Sequence, residues 1–245
     1  MNWYEEAIQS LYLTEESEGY LLGRGLCDWQ IQDNGIGLWD STKISQPCPD
    51  PSFRSLYGPK GEVFHQRVVV PLWGPHGDLL GWEGRNWSIH NEKKLTQFLL
   101  PKAEWNPVFV GLTQKAMAKL WEGGNAWVVE GVYDMGAIGR IAPPQDVVLA
   151  TLRAKVSSRH IDFFQRFLQG KVYLVYDNDA TGRRQTNGYT DPVTGKRRWG
   201  AIESMSRVGI RCQDIPYKGK DPGEVWESGG LPALQQSFRG VLHVK

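Results

Sequence analysis

The second half of the chain alternates short, continuous apolar runs with stretches that have helical spacing. The apolar runs lie at 108–112, 126–130, 147–151, 171–176 and 210–215. Continuous apolar runs are typical of strands that are buried on both faces, and their alternation with helices predicts a parallel sheet covered by helices on both sides. We therefore expect a Rossmann-like α/β unit over residues 108–245.

The first half has a different rhythm, which predicts a mixed α+β subdomain over residues 1–107. Capping and stop signals predict helices at 2–12 and 14–22. Two apolar segments around a Gly-Pro-His-Gly turn predict a β-hairpin within 65–82. The stretch 40–61 is rich in Pro, Ser and Asp and is predicted to be a loop.

Composition narrows the class of protein. The chain has 245 residues, of which 40% are hydrophobic, so a well-packed core is expected. Its net charge of +1 gives no overall attraction to nucleic acid, so any such binding must come from local patches. The three cysteines include no Cys-x-x-Cys pair, which excludes a four-cysteine zinc ribbon. No apolar run approaches the roughly 20 residues that span a bilayer, and the start is acidic, so a cytoplasmic protein without a membrane partner is expected.

Two of the predicted strands run directly into acidic residues. Glu130 follows Trp127-Val-Val, and Asp177 and Asp179 follow the strand that begins at Val172. The carboxyl ends of parallel strands share one edge of a sheet, so these acids are expected to converge. Crowded carboxylates repel one another unless a divalent cation neutralises them, and oxygen ligands suit Mg²⁺ or Mn²⁺. The alternative for Asp179 is that it only caps the helix that follows.

Several motifs together resemble a known family. Val129-Glu-Gly-Val-Tyr-Asp134 and Asp177-Asn-Asp-Ala-Thr-Gly-Arg183 resemble the two signature motifs of TOPRIM domains, which primases, topoisomerases and several nucleases share. Upstream, 20–26 resembles the helix that opens the primase core and 67–85 its central hairpin, which ends in a Gly-Arg pair. Gly219-Lys-Asp-Pro222 resembles the primase Gly-x-Asp-Pro element. Over most of its length the chain thus resembles the catalytic core of DnaG-type bacterial and phage primases.

The resemblance implies roles for five acids. Glu130 would be a general base or a metal ligand, Asp177 and Asp179 would be metal ligands, and Asp134 would support this catalytic set. Asp221 would add a further metal ligand, although its surroundings are equally typical of a helix start, and both interpretations stay open. The implied cofactor is Mg²⁺ or Mn²⁺, with two or more ions and no zinc.

The resemblance also implies that Arg67 and Arg85 face the template or the incoming nucleotide, although arginines that flank a hairpin could equally be surface residues. Two features depart from the family. Gly223 stands where an acid is usual, and the lysine-bearing segment expected within 86–106 is not recognisable.

An insertion at 184–198 has no counterpart in the resemblance. Residues 180–213 around it carry seven basic residues and two acids. The cations that we expect to contact a nucleic-acid backbone are Arg183, Lys196, Arg197 and Arg198. A solvated basic loop is the alternative.

The function that the resemblance implies is template-directed synthesis of short RNA primers on single-stranded DNA. The expected partners are the DNA template, nucleoside triphosphates, and a replicative helicase or a separate zinc-binding or helicase-binding subunit, in a bacterial or phage-infected cell. A TOPRIM nuclease and a non-catalytic replication scaffold are the alternatives. The primase-like upstream half argues against the nuclease, and the complete set of Glu130, Asp177 and Asp179 argues against the scaffold.

Overall fold

The computed structural model describes residues 1–87, 95–152 and 156–240. The helices are α1 (Trp3–Gln9), α2 (Glu15–Gly23), α3 (Asp28–Asn34), α4 (Pro51–Tyr57), α5 (Gln114–Trp121), α6 (Val132–Gly139), α7 (Ser158–Phe167), α8 (Ala180–Asn187), α9 (Ala201–Ser206) and α10 (Pro222–Ser237). The strands are β1 (Gly37–Leu38), β2 (Val68–Trp73), β3 (Leu79–Arg85), β4 (Leu95–Leu99), β5 (Ala126–Val129), β6 (Val147–Ala150), β7 (Val172–Val175), β8 (Tyr189–Thr190), β9 (Arg197–Arg198) and β10 (Cys212–Asp214). Within the described ranges, no helix is long and apolar enough to cross a membrane.

The first half of the chain forms an antiparallel sheet in the order β1-β2-β3-β4. The predicted hairpin is its centre, with Val68 opposite Arg85 and Leu72 opposite Gly81. Strand β4 and helix α3 were not predicted. The predicted loop at 40–61 contains α4, because Asp50 accepts a hydrogen bond from the Ser52 N–H at 2.7 Å and so caps a helix.

The second half forms the predicted parallel sheet, in the order β10-β7-β5-β6. Side chains of β5 alternate between two cores. Trp127 and Val129 face one, and Ala126 and Val128 face the other. The chain moves from β5 outward to β6 and then returns to place β7 on the opposite side of β5. The topological switch point, where α/β sheets bind ligands, therefore lies between β5 and β7.

The segment predicted as a strand at 108–112 pairs only through isolated bridges. Phe109 bridges Trp73 of the first sheet and Val110 bridges Ala150 of the second. Gly111 has a φ of +91° and its backbone passes so close to Val148 that a Cβ would lie 2.4 Å from the Val148 oxygen. The chain turns there, so the segment links the two sheets instead of extending either of them. The domain boundary at 107/108 stays a prediction.

Candidate active site at the edge of the parallel sheet

Two of the predicted acids lie together at the switch point. Glu130 follows β5 and Asp177 follows the neighbouring β7. The Asp177 N–H donates to Glu130 Oε1 at 3.3 Å. Both residues are partly buried. The sheet therefore brings these two carboxylates to one place, as the strand endings predict.

Asp134 lies one helical turn after Glu130, on α6. It is only 8% exposed, and its two carboxylate oxygens accept hydrogen bonds from the N–H groups of Gly131 and Gly223, each at 3.0 Å. These bonds connect the turn after β5 to the start of α10. The Asp134 carboxylate is thus held by backbone groups of two segments. This suits a residue that positions the turn after Glu130.

The other two acids cap helices. Asp179 Oδ1 accepts from the Gly182 N–H at 2.8 Å, and Asp221 Oδ1 accepts from the Glu224 N–H at 2.7 Å. For Asp221 the helix-start interpretation is therefore correct. It does not exclude the other one, because a cap uses one oxygen of the carboxylate. A Cβ built on Gly223 would lie 3.2 Å from Asp134 Oδ1 and 3.4 Å from Asp221 Oδ1, so the start of α10 lies against the acids.

The loop before α10 is fastened to the loop after β7. The Asn178 N–H donates to the Lys220 oxygen at 2.7 Å. The Tyr217 hydroxyl lies 3.1 Å from the Tyr176 oxygen and 2.9 Å from the Lys220 oxygen. Burial raises the pKa of Tyr217, and so do the charges of Asp177 and the other acids. Sequence analysis missed Tyr217 because no local pattern distinguishes it from an ordinary core tyrosine.

The acids disfavour one another's ionisation. Burial, followed by the charge of Asp177, raises the pKa of Glu130 to about 7. Burial, followed by the charges of Asp221 and Asp179, raises the pKa of Asp177 to about 6. Burial also raises the pKa of Asp134 to about 7, although the Gly223 N–H opposes this. Without a cation, these carboxyl groups are therefore partly protonated near neutral pH.

The side-chain atoms of these acids decide which metal ion they could bind. Among residues 1–87, 95–152 and 156–240, no three acidic, histidine or cysteine side chains converge into a ready-made metal cage. The available donors are nevertheless all carboxylate oxygens, which hard divalent cations prefer, and their mutual repulsion would be relieved by such an ion. Glu130, Asp177 and Asp179, with Asp221, would hold it, and the remaining coordination would come from water or substrate oxygens, as is common for Mg²⁺.

We expect Glu130→Gln to stabilise the metal-free protein at pH 8. The folded-state pKa of Glu130, about 7, exceeds its ordinary value of 4.5. Its contribution to stability is therefore greatest below pH 4.5 and is lost as the pH rises through 7. Glutamine removes this loss, by on the order of 1 kcal/mol after allowing for solvent screening, which corresponds to a rise of about 2–4 °C in Tm.

The measurement is thermal unfolding of both proteins in EDTA at pH 8 and pH 5. The advantage of the glutamine variant should have largely disappeared at pH 5, because Glu130 is then protonated in the folded protein. An equal advantage at both pH values, or none at pH 8, would show that Glu130 carries no repelled charge.

Arg85 lies beside the acidic edge. Its Nε donates to Glu83 Oε1 at 2.7 Å, and its guanidinium carbon lies 5.1 Å from the centre of the Tyr133 ring. The Arg24 guanidinium lies 4.2 Å from the centre of the same ring. Because Tyr133 immediately precedes Asp134, both arginines are brought next to the candidate site. A contact between Arg85 and nucleotide or template stays a prediction.

Arg67 is buried. It is 3% exposed, and its Nε donates to the Val63 oxygen at 2.9 Å. A Cβ on Gly84 would lie 3.2 Å from Arg67 Cδ, so the side chain packs against β3. The alternative that Arg67 is a surface residue disagrees with this burial, and a contact between Arg67 and the template or the nucleotide stays a prediction.

The predicted basic residues of the second half are exposed. Arg183 lies in the first turn of α8 and donates to the Asn178 oxygen at 2.8 Å, so it borders the acidic edge. Helix α8 continues to Asn187, so the first residues of the predicted insertion, 184–187, are helical. The remaining residues form a two-stranded hairpin that includes Arg197 and Arg198, with Lys196 just before them.

Residues 127–225, which include the parallel sheet from Trp127 onward and the acids at its switch point, match a family model described as Toprim-like. Proteins that are similar to the chain include DNA primases. The DNA primase of Neisseria meningitidis is 26% identical over 72% of this chain and 31% of its own length. That of Lactococcus lactis is 23% identical over 94% of this chain and 36% of its own length. The chain thus spans about a third of the length of these relatives.

Solved structures agree on the fold. A structure of the zinc-binding and RNA polymerase domains of the Aquifex aeolicus primase matches with a TM-score of 0.62 and 20% identity, over 96% of this chain and 57% of that one. A structure of the DnaG primase catalytic domain bound to ssDNA matches with a TM-score of 0.57 and 18% identity, over 96% of this chain and 76% of that one. The expected resemblance to the catalytic core of DnaG-type primases is therefore confirmed, in sequence and in fold.

Proposed function

We propose that this chain is a primase catalytic core, which synthesises short RNA on a single-stranded DNA template by divalent-metal-dependent nucleotidyl transfer. The observation that supports this most is the position of Glu130 and Asp177 on neighbouring parallel strands at the switch point, in a Toprim-like domain. The primase-like fold of the first half favours synthesis over the cleavage that a Toprim nuclease would perform.

The chemistry would need little covalent participation from the protein. A bound Mg²⁺ or Mn²⁺ pair would supply charge neutralisation at the phosphate and lower the pKa of the attacking 3′-hydroxyl. The chain's own residues would position the reactants. Asp134 holds the turn after Glu130 through Gly131, and Asp179 fixes the first turn of α8 through Gly182. Positioning and charge stabilisation of this kind account for most of the catalysis of phosphoryl transfer.

Glu130 would act as a general base or as a metal ligand. In the absence of a cation, burial and the charge of Asp177 raise its pKa to about 7, a value at which a carboxylate can accept a proton near neutral pH. The charge of a bound cation favours the ionised carboxylate and therefore the role of ligand. We also propose that the chain works with a replicative helicase or with a separate zinc-binding or helicase-binding subunit. The proposed setting is a bacterial or phage-infected cell.

The test is a single incubation with end-labelled single-stranded DNA, labelled ribonucleotides, and Mg²⁺ or Mn²⁺. A primase produces short labelled RNA whose composition follows the template, and it leaves the DNA intact. Shortened DNA without RNA would establish the nuclease instead. Neither product, under conditions where the DNA is bound, would favour the scaffold.

A further inference from the structure

The hairpin at 188–200, which we name the arm, is basic and exposed and follows the helix that begins at the acidic edge. Tyr189 pairs with Arg198 and Thr190 with Arg197. The turn that joins the strands is closed by Asp191, whose Oδ1 accepts from the N–H groups of Val193 and Thr194 at 2.9 and 3.0 Å. The arm is thus an ordered structure with a defined direction.

The base of the arm is closely packed. Gly188 and Gly200 face each other so closely that a Cβ on Gly200 would lie 2.3 Å from the Gly188 nitrogen and from the Thr186 oxygen. The Arg197 side chain donates to the Asn187 oxygen at 2.9 Å. These contacts connect the arm to the carboxyl end of α8.

Helix α8 connects the arm to the acidic edge. The helix begins at Asp179, one of the candidate ligands, and ends at Asn187. Eight residues of helix are on the order of 12 Å long, which is a distance of a few nucleotides. A single strand of nucleic acid that passes the acidic edge could therefore reach the arm while it stays on the protein surface.

The acids near the arm neutralise only part of its charge. The N–H groups of Thr194 and Val193 lower the pKa of Asp191, and the charge of Arg198 does so to a smaller extent. Glu203 lies between Arg197 and Arg207, at 3.5 and 3.4 Å. The side chains of Lys196 and Arg198 form no hydrogen bond and no close ion pair with any residue in the described part of the chain. Their two charges are exposed and available to phosphates.

An aromatic residue lies next to these charges. Trp199 is 52% exposed, and the Arg207 guanidinium carbon lies 3.4 Å from the centre of its ring. Arg207 covers one face of the indole and keeps it oriented, while half of the residue's surface stays open. Exposed aromatic rings interleaved with cations are the arrangement that binds single-stranded nucleic acid, because bases stack on the ring while cations contact the phosphates.

We propose that the arm is a second binding site for single-stranded nucleic acid, in which Lys196 and Arg198 contact phosphates and a base stacks on Trp199. The site would hold the strand about one helix length from the acidic edge and would read no sequence, since phosphates and ring faces are common to all nucleotides. This inference rests on the proposed function only in its choice of a single-stranded ligand.

The test is the binding of a fluorescent oligothymidylate in EDTA, measured by anisotropy over a range of salt concentrations. Lys196→Ala/Arg198→Ala should weaken binding about tenfold or more and should lower the salt slope by about 1.4, since each phosphate contact on a single strand contributes roughly 0.7. Trp199→Ala should weaken binding by about tenfold with no change in slope, and Trp199→Phe should restore most of the affinity. The two kinds of variant therefore leave different signatures.

A matched control removes two cations from the opposite edge of the same sheet. Arg166, in the last turn of α7, and Lys171, just before β7, are exposed there. Arg166→Ala/Lys171→Ala should bind like the wild type. The inference is wrong if both arm variants keep wild-type affinity and slope, or if the control loses as much as they do. A protein partner would then be the better explanation of the arm.

Primer synthesis by the wild-type chain separates this inference from the proposed function. If the wild type synthesises primers but the arm variants bind the oligonucleotide as the wild type does, the inference alone is overturned. If the arm variants bind more weakly but the wild type synthesises no primers, the proposed function alone is overturned.

Discussion

Asp177→Asn is expected to reduce primer synthesis at least a hundredfold while the protein stays folded. Asp177 lies at the switch point, and burial together with the charges of Asp221 and Asp179 raises the pKa of its half-buried carboxyl group. Asparagine keeps the shape of the side chain and removes the charge that a divalent ion would bind. Because that charge is also repelled by its neighbours, the metal-free variant should melt no lower than the wild type.

The matched control is Asp214→Asn. Asp214 ends β10, the strand beside β7, and burial raises its pKa as well. Its carboxylate is not among the charges that raise the pKa of Glu130 or Asp177. We expect the control to keep wild-type synthesis. Normal synthesis by Asp177→Asn, with a normal melting curve, would remove Asp177 from the catalytic set.

Gly182→Ala is expected to damage both activity and stability, although Gly182 bears no functional group. A Cβ at this position would lie 1.9 Å from the Asp177 oxygen and 2.9 Å from its carbonyl carbon. Both are backbone atoms, so the loop that carries Asp177 and Asp179 must move. Overpacking of this kind costs about 1–3 kcal/mol, and a displacement of about 1 Å at a catalytic site costs on the order of a hundredfold in rate.

Gly19→Ala in α2 is the control for Gly182→Ala. Among the described residues, no atom outside the neighbouring backbone of α2 lies within 4 Å of the position that its Cβ would take. We therefore expect unchanged synthesis and a slightly higher Tm, because alanine favours helix. Differential scanning fluorimetry and the synthesis assay measure both variants together. Wild-type behaviour of Gly182→Ala would mean that the loop after β7 can relax without moving its acids.

The acidic edge was predictable because its signals are local. An apolar strand that ends in an acid places that acid at the edge of the sheet, and two such strands at parallel positions converge. The motif that contains Glu130 and the one that contains Asp177 were therefore sufficient to place both residues. The hydrogen bond between Asp177 and Glu130 shows that their strands are neighbours in the sheet. The resemblance of the two motifs to a known family implied this, whereas the number of residues between them does not.

The rest of the site depends on contacts between distant segments. Gly223 donates to Asp134 across 89 positions of sequence, and Tyr217 reaches Tyr176 across 41. No local pattern encodes such pairs. The burial of Arg67 likewise depends on tertiary packing, and the residues around the hairpin do not encode it. Gly223 stands where the resembled family usually has an acid, and the structure gives this difference a physical meaning. The Gly223 N–H and the lack of a side chain allow α10 to approach Asp134.

The claim that the acidic edge is a divalent-cation site is tested most directly by titrating the protein with Mn²⁺ and measuring the free ion by electron paramagnetic resonance. We expect the wild type and Asp214→Asn to bind at least one Mn²⁺ per chain with the same affinity, and Asp177→Asn to bind it at least tenfold more weakly. Mg²⁺ should compete for the same site. No bound Mn²⁺ in the wild type, or binding that Asp177→Asn leaves unchanged, would contradict the account.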